Sequence, residues 1–250
     1  MLNSTLAVVP AYNEAATVGR VIRDLQLAAP GVDVLVIDDG STDCTEGAAR
    51  DAGARVLRHP FNLGIGGAVQ SGFQFALENG YARMVQVDGD GQHLPREIAV
   101  LEAAMDEQSD VDLVCGSRFL TDNGYLAPIS RRTGIHIFAF LLSRIIGQQV
   151  TDPTSGFRLY NRRAIALFAR DYPHDYPEVE AVLMVHFHRL SMIEVPVQML
   201  ERGGGTSSIS SGKSVYYMVK VLLAIFIGLV RKRPVVDPGD AAPVTAAPGL

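Results

Sequence analysis

A chain of 250 residues with 48% hydrophobic content can bury one sizeable core, so one catalytic domain with a small appendage is the economical expectation. A net charge of −5 and a pI near 5.7 exclude a general nucleic-acid binder, which carries a basic face, and leave any anionic partner to local arginines. Two distant cysteines, Cys44 and Cys115, fit no metal-ligand spacing and suit a reducing compartment, and Met1-Leu2-Asn3-Ser4 runs into a strand rather than a secretory leader, so a cytoplasmic location is expected.

In chain order, strand-like apolar runs alternate with helical patterns: 6–9 then 15–27, 32–37 then 45–52, 55–57 then 66–77, 84–87 then 95–105, and 111–115. This rhythm predicts an α/β fold, a mostly parallel central sheet with helices on both faces. Pro95 suits the first turn of its helix. From Gly116 the rhythm breaks into a polar stretch through Ser130. An apolar segment at 135–146 follows, then a strand-like run at 156–160, a helical one at 178–189 and a strand-like one at 192–199. Gly203-Gly204-Gly205-Thr206-Ser207-Ser208 reads as mobile without a ligand. Residues 234–250, rich in Pro, Ala and Gly without apolar periodicity, read as a disordered tail.

Two apolar segments raise the question of a membrane. The 16 residues 215–230 include Lys220 and fall short of a bilayer crossing, which takes roughly 20 residues. Tyr216 and Tyr217 at one end and Arg231-Lys232-Arg233 at the other suit a helix in the headgroup region, or one docked on a small membrane protein. The segment 135–146, broken by Ser143 and Arg144, has the same character. The alternative for both is a core-covering helix with ordinary surface charges. In 215–230 the apolar residues surround the helix too completely for a half-exposed position, so a C-terminal membrane-surface helix is expected.

Asp88-Gly89-Asp90-Gly91-Gln92 places two carboxylates and an amide oxygen just past the strand at 84–87, where a parallel sheet binds its ligands. Two acids one residue apart point the same way along an extended segment, and a divalent cation relieves their repulsion best. Magnesium or manganese prefers such oxygens and shares itself with substrate phosphates, which predicts a metal gripping a nucleotide diphosphate. The plainer alternative is a solvated acidic turn, since Asp and Gly are ordinary turn residues.

Two further strand ends open onto the same edge. Val8-Val9-Pro10-Ala11-Tyr12-Asn13-Glu14 closes the first strand and Val36-Ile37-Asp38-Asp39-Gly40-Ser41-Thr42-Asp43 the second. A tyrosine face can stack on a nucleobase, and a carboxylate can accept a ring N–H. Asp43 reads as a helix N-cap. Asp38 and Asp39 repel one another unless a ligand or hydrogen-bonding backbone meets them. Asn62-Leu63-Gly64-Ile65-Gly66-Gly67-Ala68 lacks the glycine spacing of a dinucleotide fingerprint and the Gly-Lys-Ser/Thr of a P-loop. At a helix start, its backbone N–H groups still suit a phosphate.

Pro10-Ala11-Tyr12-Asn13-Glu14, Asp38-Asp39-Gly40-Ser41-Thr42-Asp43, Asn62-Leu63-Gly64, Asp88-Gly89-Asp90-Gly91-Gln92, Gly116-Ser117-Arg118 and Ser155-Gly156-Phe157-Arg158 occur in this order. Together they resemble a family 2 glycosyltransferase with the GT-A nucleotide-sugar-binding fold, and within it the polyprenyl-phosphate sugar synthases, similar to dolichol-phosphate mannose synthase. The resemblance covers residues 5–232. It implies that Tyr12, Glu14 and Asp39 hold the nucleoside, with Pro10, Asp38 and Gly64 in the same donor site, and that Asp88, Asp90 and Gln92 bind Mg2+ or Mn2+. It places Arg118, Arg131 and Arg202 near the two substrates' phosphates, with Arg132 competing for the register of Arg131, and Arg158 at the sugar pocket. The domain reading that follows is a catalytic domain at 1–213, an interfacial helix at 214–233 and the tail at 234–250.

The resemblance further implies an inverting transfer from a nucleotide sugar, carrying glucose, N-acetylglucosamine or mannose, to polyprenyl phosphate, by an enzyme peripheral to the inner face of the cell membrane. A phosphate acceptor is already a nucleophile at neutral pH, because its second pKa lies near 6. It needs no general base. A saccharide or protein hydroxyl does need one, and Glu178 or Glu180 in Tyr176-Pro177-Glu178-Val179-Glu180 is the candidate, unless both simply begin a helix where acids favour the dipole. A third reading is a non-catalytic nucleotide-sugar-binding subunit that recruits a membrane partner.

Overall fold

The computed structural model describes residues 4–120, 129–200, 220–223 and 225–226, with the backbone alone at 129–132. The elements are β1 (Thr5–Ala11), α1 (Val18–Ala28), β2 (Val32–Asp38), α2 (Thr45–Asp51), β3 (Arg55–Arg58), α3 (Gly64–Glu78) and β4 (Arg83–Gln86). They continue with α4 (Ile98–Glu107), entered through one 3₁₀ turn at Pro95–Glu97, then β5 (Leu113–Ser117), α5 (Ile129–Ile146), β6 (Arg158–Asn161), α6 (Arg162–Arg170), α7 (Pro177–Phe187) and β7 (Met192–Pro196).

Side chains alternate along β1, and both of its faces are apolar. Leu6 and Val8 enter one core, and Ala7 and Val9 the other. A strand buried on both sides requires a helix layer over each face of the sheet. Phe73 of α3, Phe138 and Leu142 of α5, Phe168 of α6 and Val182 of α7 fill the first core. Val21 and Ile22 of α1, Ala49 of α2 and Leu101 of α4 fill the second.

The seven strands run in the order β3-β2-β1-β4-β6-β5-β7. The sheet is mixed, which refines the mostly parallel expectation: β6 lies antiparallel to both β4 and β5. Arg158 at the start of β6 pairs with Gln86 at the end of β4, so the chain re-enters the sheet from the edge where β4 leaves it. That reversal brings Ser155 and Gly156 beside Asp88. Helix α6 was not anticipated; Asn161 caps it by accepting the Ala164 N–H at 3.0 Å.

Val221 and Ile225 are buried in the first core, while Leu223 and Phe226 stay exposed. One face of the expected membrane-surface helix therefore covers the core. The rest of 214–233 and the tail at 234–250 lie outside the described residues. No helix among the described residues is long and apolar enough to cross a membrane.

Candidate active site

The ends of β1, β2 and β4 and the start of α3 line a cleft of about 340 Å³. The loops after β1 and β2 are tied together. Asn13, at φ 56°, donates its N–H to Ser41 Oγ at 3.0 Å and accepts the Thr42 N–H through Oδ1 at 2.9 Å. Asp43 accepts the Thr45 N–H at 3.0 Å and the Ala15 N–H at 3.2 Å, fastening the first loop to the start of α2, whose N-cap residue is Cys44 and not the expected Asp43. Gly40, at φ +71°, lies so close to the backbone of Phe61 and Asn62 that a Cβ would come within 2.7 Å of Phe61 C. Only glycine allows this turn to pack against the loop that enters α3.

Pro10, Tyr12, Glu14, Asp39, Gly64, Asp88 and Asp90 all line the cleft. Asn62, Ile65 and Ala68 line it too, and sequence reasoning gave them no individual role. Asp39 is buried and its oxygens accept from Leu63 N and Gly64 N, each at 2.9 Å, while His59 Nδ1 lies 2.8 Å from Oδ1. The backbone that meets Asp39 is thus the first turn of α3. Asp38 is fully buried outside the cleft: Oδ1 accepts the Ser41 N–H at 2.9 Å, and Oδ2 has Arg58 Nε at 3.7 Å with no hydrogen bond.

Asp88 and Asp90 sit on a turn rather than on the extended segment that the spacing predicted, yet both face the cleft. Asp90 Oδ1 accepts the Gln92 N–H at 3.0 Å. Gln92 lies in a second, smaller hollow with Asp88, His93, Arg118 and Gly156, where its Nε2 donates to Leu200 O at 3.3 Å. Among the described residues no group of three or more His, Cys, Asp or Glu side chains could hold a metal ion. Two carboxylates and an amide oxygen fit Mg2+ or Mn2+ nonetheless, because these ions take few protein oxygens and complete their shell with substrate phosphates.

Arg118 borders that second hollow, gripped bidentately by buried Asp152: Nε lies 2.6 Å from Oδ2 and Nη2 lies 2.7 Å from Oδ1. Asp152 is oriented by Glu194 of β7, whose carboxylate accepts the Thr151 and Asp152 N–H groups at 2.7 and 2.9 Å. Neither Asp152 nor Glu194 was singled out from the sequence, because nothing local marks a contact between a loop and a strand some forty residues later. Arg158 is buried behind the cleft and donates to the carbonyls of Ser155, Pro153 and Glu178. Arg131 lies in the first turn of α5, where only the backbone is described, and Arg202 lies outside the described residues.

Glu178 and Glu180 do begin a helix, α7, but their positions differ. Glu180 folds back to accept the Tyr176 N–H at 3.2 Å, as a capping residue does. Glu178 lines the cleft, where burial raises its carboxyl above the usual range against the opposing pull of Arg158. Gly66 permits this approach, since a Cβ there would lie 2.4 Å from Pro173 O in the segment leading to α7.

The model of glycosyl transferase family 2 matches residues 6–168. The chain belongs to this family. The family 2 chain is 32% identical over 228 residues to the polyprenol monophosphomannose synthase of Mycolicibacterium smegmatis, covering 87% of this chain and 85% of that one. It is 34% identical over 216 residues to the undecaprenyl-phosphate mannosyltransferase of Micrococcus luteus, covering 83% and 88%. Among solved structures, the glucosyl-3-phosphoglycerate synthase of Mycobacterium tuberculosis with Mn2+, UDP-glucose and phosphoglyceric acid superposes with a TM-score of 0.68 at 20% identity, over 92% of this chain and 81% of that one. This likeness establishes the GT-A fold. The family 2 chain is accordingly a nucleotide-sugar-dependent glycosyltransferase.

Proposed function

We propose that this chain moves one sugar from a nucleotide sugar to polyprenyl phosphate, with inversion, at the inner surface of the cell membrane. The observation that carries the donor half is the convergence of Tyr12, Glu14, Asp39, Asp88 and Asp90 on one cleft at the ends of three parallel strands. Tyr12 stacks on the base and Asp39 and Glu14 accept from the nucleoside, with Pro10 and Gly64 shaping the pocket. Asp88 and Asp90, with Gln92 beside them, hold Mg2+ or Mn2+, an assignment supported by the all-oxygen donor set and by the Mn2+ in the Mycobacterium tuberculosis synthase. When bound there, the ion would supply positive charge that stabilises the leaving diphosphate.

Arg118, preoriented by Asp152 in the hollow that shares Asp88 with the donor cleft, is assigned together with Arg131 and Arg202 to the substrate phosphates. An oxygen of the acceptor phosphate bonds to the anomeric carbon as that carbon's bond to the donor diphosphate breaks, and the electron pair departs with the nucleoside diphosphate. The acceptor assignment is supported by the names of the two sequence relatives and by the phosphate's readiness to attack without a base. Membrane association is supported by the exposed Phe140 and Phe226, at 60% and 62%, and by Arg144 stacked 5.3 Å from the Phe140 ring.

A second reading has its own observation. Glu178 stands in the cleft with a raised pKa, as a general base for a hydroxyl acceptor would, and the solved structure of similar fold carries the non-lipid phosphoglyceric acid. One experiment separates the two: the chain, Mn2+, membranes, phosphoglyceric acid as a soluble hydroxyl acceptor and labelled UDP-glucose, UDP-N-acetylglucosamine or GDP-mannose are mixed and extracted with organic solvent. Label in the lipid phase supports polyprenyl phosphate, and Glu178→Gln then keeps most of the rate, with an acidic limb near pH 6 set by the phosphate. Label on a water-soluble acceptor supports the hydroxyl reading. Its rate rises with pH through the elevated ionisation of Glu178, and Glu178→Gln abolishes both limb and turnover.

A further inference from the structure

His93 has no role in the motif reading, and its surroundings give it one. The imidazole is 5% exposed and packs against Phe157 with ring centroids 4.9 Å apart. Nδ1 lies 3.0 Å from the backbone N of Asp88. A backbone N–H can only donate, so Nδ1 is the acceptor and the ring proton sits on Nε2. Nε2 lies 3.6 Å from Asp88 Oδ2, beyond hydrogen-bond distance, with its N–H dipole beside the carboxylate. The ring's own backbone is anchored, because His93 bridges Met199 and Gln92 O accepts the Leu200 N–H at 2.9 Å.

Sheet pairing explains why such a residue is needed. The last ladder bond beside β1 runs from Val87 N to Val8 O. One residue further on, the Asp88 N–H has left the sheet, and a turn follows. A carboxylate on an untethered turn loses conformational freedom whenever it grips an ion, and tethering it beforehand removes that cost.

We propose that His93 is the positioning residue of the divalent-cation site: its buried imidazole anchors the backbone of Asp88 and flanks its carboxylate, so that Asp88 meets the ion in one orientation. This rests on Asp88 and Asp90 as the metal-holding pair and is independent of the acceptor. The test is titration of the full chain with Mn2+ in the presence of UDP, following the free-ion electron paramagnetic resonance signal, for the wild type, His93→Phe and His93→Asn. Phenylalanine fills the ring volume without the nitrogens, and asparagine keeps an oxygen able to accept the Asp88 N–H. The Mn2+ dissociation constant rises about 10–100-fold in His93→Phe, the range for a lost outer-shell partner, and less in His93→Asn.

UDP affinity without metal stays at the wild-type level in both variants. Unchanged Mn2+ affinity in a folded His93→Phe overturns the proposal, as does an equal loss of metal-free UDP binding, which marks a collapsed cleft. Should His93→Phe fail to fold, His93→Leu, which also lacks an acceptor for the Asp88 N–H, decides in its place: wild-type Mn2+ affinity in that folded variant overturns the proposal, and weaker affinity that His93→Asn partly restores supports it. A wild type that takes up no Mn2+ overturns the proposal together with the metal assignment. Failure to glycosylate polyprenyl phosphate with Mn2+ binding intact touches only the acceptor reading.

Discussion

Two acidic pairs stand at strand ends on either side of β1, and they have opposite surroundings. At the end of β2 the side chains of Asp38 and Asp39 are 0% and 4% exposed, and their oxygens meet the backbone N–H groups of Ser41, Leu63 and Gly64. Beyond β4 the Asp88 side chain is 36% exposed and, with Asp90, it faces the cleft. The first pair clasps two loops and the first turn of α3, and of the two only Asp39 also lines the cleft. The second is turned toward the open cleft. Adjacent acids at a strand end therefore have no fixed meaning. What decides it is whether a neighbouring loop delivers backbone donors to them.

The sharpest way to break this contrast is Asp90→Asn. On the proposed metal site, losing one of the two carboxylates that would hold the ion lowers transfer by about 10²–10³-fold, the scale of losing one preorganised electrostatic contact, with thermal unfolding unchanged. Retained turnover in that variant would erase the distinction. The complementary change, Asp39→Ala, acts on stability first. It removes the carboxylate acceptor of the part-buried Leu63 N–H and one of the two acceptors of the Gly64 N–H, which keeps Asn62 Oδ1, and a hydrogen bond to a charged group is worth about 1.5–3 kcal/mol, so the urea midpoint falls by a corresponding amount. If Asp39→Ala unfolds like the wild type and only donor binding suffers, Asp39 belongs with the second pair.

The smallest effect sharpens the architectural half. Asn13→Gly preserves the left-handed backbone and loses the two bonds that Asn13 Oδ1 accepts from the Thr42 N–H and hydroxyl, exposed bonds costing about 1 kcal/mol together. Asn13→Ala adds backbone strain and costs more. Equal stabilities for the two variants would show that the conformation of Asn13 is not what joins the loops.

Much of the sheet was legible in the sequence because β1, β2 and β4 are buried on both faces, and continuous apolar runs followed by Gly, Asp and Asn mark such strands and their exits. Asp88 and Asp90 were legible for the same reason, since a strand end is a local signal. The antiparallel entry of β6 was not, because 156–160 reads as a strand in either direction. Nor were His93, Asp152 and Glu194, whose partners are fixed by where the chain returns.

By itself, then, the sequence determined most of the strands and helices, α6 excepted, and which acids emerge at the ends of the strands, since hydrophobic period and turn chemistry are properties of neighbouring residues. Only the tertiary structure decided which of those acids face a cleft, which arginine is held by an aspartate, and which of Glu178 and Glu180 reaches the site. Burial and hydrogen-bond partnership depend on atoms supplied by distant parts of the chain, and these meet only when both helix layers close over the sheet.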